Sequence, residues 1–334
     1  MQPIIDVLLT PAELGAALQA DVLAGLSAPS GRRSLPPKWF YDERGSKLFD
    51  EITRLPEYYP TRRERSILAD RAGGIMTAGV ETLIELGSGT SDKTRLLLDA
   101  GVAGGSLRQF VPFDVSEDTL VHAAETLAPR YPTVSVHAVV GDFDRHLGVI
   151  AGLGRPGQRL VAFLGGTIGN FEPRSRGRFL SSIGSALAVG DQLLLGTDLV
   201  KDPDRLVAAY DDRAGVTAEF NRNVLAVIDR ELQADFDLDG FDHVAVWNRR
   251  AEWIEMRLRA RRRQLVKVSA LGLEVVFGDG EELRTEISAK FRRPTVEAEL
   301  AAAGFVLDAW WTDPDGDFAV SLSRRAALPP GGSS

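Results

Sequence analysis

Apolar positions change period several times along the chain. Over 11–27, Leu and Ala recur at helical spacing, and 61–78 reads as a second helix. From residue 82, short apolar runs alternate with helical ones. Strands are predicted at 82–87, 109–115, 134–143, 160–166 and 191–200, with helices at 91–100, 117–128 and 174–188. This alternation predicts an α/β fold, a parallel sheet covered by helices on both faces, with ligands at the carboxyl ends of its strands. Beyond residue 200 the pattern is largely helical over 202–233 and then antiparallel strands over 243–290. A helix at 293–304 and a closing hairpin at 305–323 follow. In one strand Trp253, Glu255, Arg257 and Arg259 alternate with Ile254, Met256, Leu258 and Ala260. In another, Leu283, Thr285, Ile287 and Ala289 face one way, and Arg284, Glu286, Ser288 and Lys290 the other. The expected organisation is one domain over 62–200 plus 291–325, a second over 1–61 plus 201–290, and a disordered tail at 326–334. No internal repeat is visible.

Composition narrows the chemistry. The 334 residues include no cysteine and four histidines, His122, His137, His146 and His243, none in an HxH or HExxH spacing. Thiolate nucleophiles, disulfides and cysteine-ligated metals are excluded, and no metal site is expected. A net charge of −8 argues against nucleic acid or an anionic membrane as partner. The first fifteen residues carry no basic leader with a long apolar core, and no apolar run is long enough to span a membrane. A cytoplasmic enzyme acting on a small molecule is expected, with a monomer as the default.

The segment Glu85–Thr94, ELGSGTSDKT, joins the first strand of the alternating run to its helix. A phosphate-gripping loop needs GxxxxGK[ST], but Asp92 precedes Lys93-Thr94. A dinucleotide fingerprint needs a third glycine, where Asp92 stands instead. S-adenosylmethionine carries no phosphate and needs only Gly87 and Gly89. On that reading Asp114, ending the next strand, would take the ribose hydroxyls. Asp142 and Phe143 would take the adenine amino group and ring, and Lys93 the methionine carboxylate. A structural tight turn with a solvated lysine is the competing account of the glycine loop alone.

Longer motifs then appear in order: KWFYDERGSKLFDEITRLPEYYPTR from Lys38, ELGSGTSDKTR, PFDV, GDF, FLGGTIGNF, LLLGTDLVKD, GVTAEFNRNVL and EELRTEISAKF. Together they resemble the actinobacterial histidine-specific, S-adenosylmethionine-dependent Nα-methyltransferases of ergothioneine biosynthesis, over nearly the whole chain. The resemblance implies a Rossmann-like class I methyltransferase domain plus a second, family-specific α+β domain that binds substrate. It implies three methylations of the α-amino group of L-histidine, giving hercynine. It also implies a cofactor site of Tyr41, Gly87, Lys93, Asp114, Asp142 and Phe143, and a substrate site of Tyr58, Asn170, Tyr210, Met256, Glu286 and Ser288. One departure is Gly166, where relatives often carry serine.

The chemistry of these side chains suits that implication. Displacement at a sulfonium needs a neutral amine aimed at the methyl carbon, and positioning supplies much of the rate. Asn170 and Tyr210 are expected to hold the substrate carboxylate, with Tyr58 near the amine; these three are the expected catalytic residues. From pattern alone, Asn170 equally suits a turn after Gly169. Glu286 and Ser288 leave one strand face and can bracket two imidazole nitrogens, although Arg284 and Lys290 on that face also suit a solvated surface. Met256 is expected in the core or as a wall of the ring pocket. A different aromatic amino acid or amine as acceptor is the alternative on the same fold. A nicotinamide-dependent oxidoreductase is the alternative of another class.

Overall fold

The computed structural model describes residues 2–76, 79–89, 91–154 and 156–327, and of Phe143 and Asp144 the backbone only. Of the tail expected at 326–334, residues 328–334 lie outside the described residues. In chain order the elements are β1 (Ile4–Val7), α1 (Pro11–Leu26), α2 (Glu43–Ile52), α3 (Pro60–Met76), β2 (Val80–Leu86), α4 (Arg95–Ala103), β3 (Gln109–Asp114) and α5 (Glu117–Arg130). There follow β4 (Ser135–Val140), α6 (Phe143–His146), β5 (Gln158–Phe163), α7 (Pro173–Ala186), β6 (Gln192–Asp198), α8 (Pro203–Ala208) and α9 (Val216–Leu232). The chain ends with β7 (Phe241–Asn248), β8 (Trp253–Ala260), β9 (Gln264–Val268), β10 (Leu273–Phe277), β11 (Glu282–Ala289), α10 (Arg293–Ala302), β12 (Phe305–Thr312) and β13 (Phe318–Arg325). Contacts divide them into two units, one of 2–9, 60–200 and 291–327, the other of Thr10–Tyr59 and Lys201–Lys290.

The first unit is built on an eight-stranded sheet of order β1-β4-β3-β2-β5-β6-β13-β12. Strands β1 to β6 run parallel; β13 is antiparallel to β6, and β12 to β13. Strand order reverses at β2, since β3 and β4 lie on one side of it and β5 and β6 on the other. Loops leaving β2 and β5 therefore part in opposite directions and open a crevice at their carboxyl ends. Strand β2 is buried along nearly its whole length, the pattern of a strand covered on both faces. The core of this unit gathers Leu68, Ile75, Leu83, Phe110, Leu127 and Phe318.

One expectation is corrected here. Residues 2–9, assigned from sequence to the second domain, add an edge strand to this sheet. Ile4–Val7 pairs in parallel with His137–Val140, and Asp6 meets His137 Nε2 at 2.7 Å. Main-chain pairing along the open edge of β4 holds so short and exposed a segment, and apolar periodicity does not register it.

The second unit has its own core, with Phe40, Phe220, Val224, Ile228, Ile254 and Phe277. It combines α1, α2, α8 and α9 with the three-stranded antiparallel sheet β11-β8-β7 and the ribbon β10-β9. The helix expected over 202–233 is broken in two. Asp212 accepts the backbone N–H groups of Val216 (3.1 Å) and Thr217 (2.7 Å), so its carboxylate opens α9. Residues 209–215 between the helices carry Tyr210.

The turn between β12 and β13, DPDGD, draws the carboxylates of Asp313, Asp315 and Asp317 within 4.8 Å of one another. Arg63, in the first turn of α3, ion-pairs with all three, at 3.5 Å to Asp313 and 3.1 Å to Asp317. Buried Asp313 also accepts the N–H groups of Asp315, Asp317 and Phe318. Asp313→Ala orphans three donors and removes one of the three carboxylates paired with Arg63. It should lower unfolding stability by about 3 kcal/mol, read as a drop in urea midpoint.

Candidate functional site

In the first unit the carboxyl ends of three successive strands bear the residues expected to bind a cofactor. Gly87 and Gly89 turn the chain after β2 in the left-handed region, at φ 69° and 47°. Asp114, the last residue of β3, ties that turn down: Oδ2 accepts Gly89 N–H at 3.0 Å and Oδ1 accepts Ser116 N–H at 3.2 Å. Burial pushes the Asp114 carboxyl above its ordinary range, and these backbone donors pull it back. Asp142, beyond β4, is buried, and its N–H donates to His146 Nδ1 at 3.0 Å. The side chain of Phe143 lies outside the described ones.

Lys93 does not end in solvent. Its ammonium pairs with Glu64, a fully buried residue of α3. The second oxygen of Glu64 accepts Gly165 N–H at 2.7 Å, so one carboxylate joins the loop after β2 to the loop after β5. Gly166 follows at φ 71°, a conformation that costs a serine more than a glycine. Asn170 closes the short helical turn Thr167–Asn170 on the same loop. It is half-buried, and its amide has no hydrogen-bond partner among the described residues. Glu85, near the end of β2, is buried with one oxygen on Thr94 Oγ1 and the other without a partner among the described residues. Burial pushes its pKa up to about 8, against opposing pulls from Thr94 and Lys93.

The second unit collects the remaining expected residues. Tyr41 stands edge-on to Phe49 at 5.5 Å between centroids; Phe49 meets Tyr58 at 6.2 Å, and Tyr58 meets Tyr210 at 6.2 Å. Met256 is buried in β8 and lies opposite Glu286 across the β8–β11 pair. A bulge between Arg284 and Glu286 shifts the register there. The face that also suited a solvated surface is enclosed at its Ser288–Lys290 end and half-buried at Arg284 and Glu286. Ser288 and Lys290 are 5% and 4% exposed. Tyr210 Oη lies 2.7 Å from Ser288 Oγ, and Lys290 Nζ donates to both, at 3.0 and 2.9 Å. Glu286 is half-buried and has no hydrogen-bond partner among the described residues. Its pKa is raised to about 7 by burial, with the Lys290 charge acting to lower it.

Beneath this cluster, His243 Nε2 meets the Tyr210 carbonyl oxygen at 2.7 Å, and its Nδ1 meets Asn221 Nδ2 at 2.8 Å. Burial holds this imidazole below its ordinary pKa, so it stays neutral, donating through Nε2 and accepting from the amide. Through its Nε2 bond to the carbonyl it helps to fix the backbone at Tyr210.

A family model described as histidine-specific methyltransferase, SAM-dependent, matches residues 18–325. The histidine N-alpha-methyltransferase of Mycolicibacterium smegmatis is 60% identical over 92% of this chain and 95% of its own length. That of Mycobacterium tuberculosis is 57% identical over the same shares. Ergothioneine biosynthesis protein 1 of Schizosaccharomyces pombe is 34% identical, over 65% of this chain and 29% of its own length. The chain belongs to the SAM-dependent, histidine-specific methyltransferases.

For a methyltransferase of this family, Glu64 and Lys290 are the residues that sequence reading passed over. Lys290 was visible as the fourth polar residue on the face of Arg284, Glu286 and Ser288, and only burial separates it from a surface lysine. Glu64 lies in a helix of mostly polar residues and gave no signal.

Glu85 yields a signed pH prediction. The folded chain holds its proton to about pH 8, whereas the unfolded chain releases it near the ordinary glutamate value of 4.5. Between these values the native state binds more protons, so stability falls as pH rises. Glu85→Gln cannot titrate. Its stability relative to wild type should rise from pH 5 to 8 by up to roughly 4 kcal/mol, seen in paired melts.

Proposed function

We propose that the chain transfers three methyl groups in succession from S-adenosylmethionine to the α-amino nitrogen of L-histidine, giving hercynine for ergothioneine biosynthesis. The observation that carries the acceptor assignment is the Glu286 carboxylate, which has no hydrogen-bond donor among the described residues and stands two residues from a buried serine hydroxyl. An ionised carboxylate only accepts, and an imidazole N–H supplies what it lacks. A ring without nitrogen leaves it unpaired, which is how such a site discriminates.

The roles divide by unit. In the first, the Gly87 turn admits the cofactor, Asp114 takes the ribose hydroxyls, Asp142 and Phe143 take the adenine, Lys93 serves the methionine carboxylate, and Asn170 serves the substrate carboxylate. Because Glu64 already pairs with Lys93, the lysine is aimed before any ligand arrives. In the second unit, Tyr41 borders the cofactor and Tyr58 the amine. Tyr210 serves the carboxylate, Glu286 and Ser288 the two ring nitrogens, and Met256 walls the ring. In-line displacement at the sulfonium requires no protein nucleophile and no metal. The reading is of a cytoplasmic monomer acting on small molecules, without nucleic acid or membrane as partner. Among the described residues no helix is long and apolar enough to cross a membrane.

Purified protein with S-adenosylmethionine and L-histidine should yield mono-, di- and trimethylhistidine by mass spectrometry. Turnover of another aromatic amino acid or amine with none of histidine would reject the reading. Glu286→Ala should raise KM for histidine about 10- to 100-fold, the worth of a hydrogen bond to a charged group.

A further inference from the structure

Lys290 follows β11 and sits buried beside two hydroxyls, Tyr210 Oη at 3.0 Å and Ser288 Oγ at 2.9 Å, with its ammonium 4.6 Å from the Tyr210 ring centroid. A buried lysine is rare enough to need a reason. An ammonium has only donors, while a hydroxyl has one proton and two acceptor positions. Lys290 therefore occupies an acceptor position on each oxygen, and neither hydroxyl proton can be turned toward it.

We propose that Lys290 is a positioning residue for ring recognition: it makes the Ser288 hydroxyl a donor toward the substrate, leaving Glu286 as the pocket's acceptor. This rests on the histidine reading and specifies the form of the ring. Without ligand, one of the two protons is held in the 2.7 Å contact between Tyr210 and Ser288. The phenol oxygen, already bonded to Lys290, is the weaker acceptor for the serine proton, and a bare imidazole nitrogen draws it away. One donor and one acceptor match a neutral imidazole, which offers one N–H and one bare nitrogen. An imidazolium offers two N–H groups, and a thiophene neither donor nor nitrogen.

The test measures kcat/KM for L-histidine over β-(2-thienyl)alanine in wild type, Ser288→Ala, Lys290→Met and the double variant. Wild type should prefer histidine by about 100-fold or more. Each single change should cut that ratio about 10-fold, the worth of one hydrogen bond to a neutral nitrogen. The double variant should lose no more than about threefold beyond either single, because the lysine acts through the serine. A Lys290→Met protein with the wild-type ratio, or single losses that multiply in the double variant, would overturn the proposal. Lys290→Gln goes through the same cycle, so the coupling is measured even if the methionine variant does not fold. Calorimetric affinity for S-adenosylmethionine, expected within about twofold of wild type, verifies folding. A wild-type enzyme indifferent between histidine and thienylalanine would instead reject the histidine reading itself.

Discussion

A charge taken out of water costs several kcal/mol unless a partner is fixed beside it, and much of this chain is arranged around that constraint. Glu64 is met by Lys93 and by a backbone N–H. Arg159 and Asp191 clasp each other at the amino ends of β5 and β6, at 2.6 and 2.8 Å. Arg176 binds Glu299 with two nitrogens and so joins α7 to α10. Glu85, with no fixed cation of its own, keeps its proton instead. Glu286 is the carboxylate that follows neither course fully. It has no hydrogen-bond donor among the described residues, and a pKa of about 7 leaves it poised between its two forms.

The same constraint gives Lys93 a second meaning. A lone lysine beside a cofactor loop would be a mobile point charge on a flexible stem. Pinned by Glu64, it sits 3.5 Å from where a Cβ on Gly165 would lie, which ties it to the loop that leads to Asn170. The loops after β2 and β5 thus share one buried carboxylate. Orientation of this kind is the main currency of a displacement that uses no nucleophilic side chain.

Much of this was legible in the chain. Alternating strands and helices over 82–200 translate directly into β2 to β6, because parallel strands buried on both faces leave short apolar runs between helical spacings. The glycine turn, Asp114 and Asp142 were placed at strand ends from sequence, and the structure puts them there, at the ends of β2, β3 and β4. Features set by long-range contacts were not legible. β1 is held by main-chain pairing that four residues cannot announce. The break that carries Tyr210 depends on Asp212 capping α9 inside an otherwise helical stretch. The polar face of β11 reads as surface until β8, Tyr210 and the bulge at Thr285 enclose it. Periodicity assigns residues to faces, and tertiary packing decides whether a polar face is wet.

Why three methyls and no further follows from the acceptor rather than from any gate. Each intermediate amine keeps a lone pair, and the quaternary product has none, so the reaction ends by itself. What the protein must do is tolerate a centre that grows bulkier and more lastingly cationic. The aromatic run Tyr41–Phe49–Tyr58–Tyr210 in the second unit suits this, because ring faces attract a methylated ammonium without demanding an N–H from it. A carboxylate in that place would bind the product more tightly than the neutral amine that must react. On the proposed reading the carboxylate stands instead at the ring end, as Glu286, where it would select the side chain without holding the amine in its protonated, unreactive form.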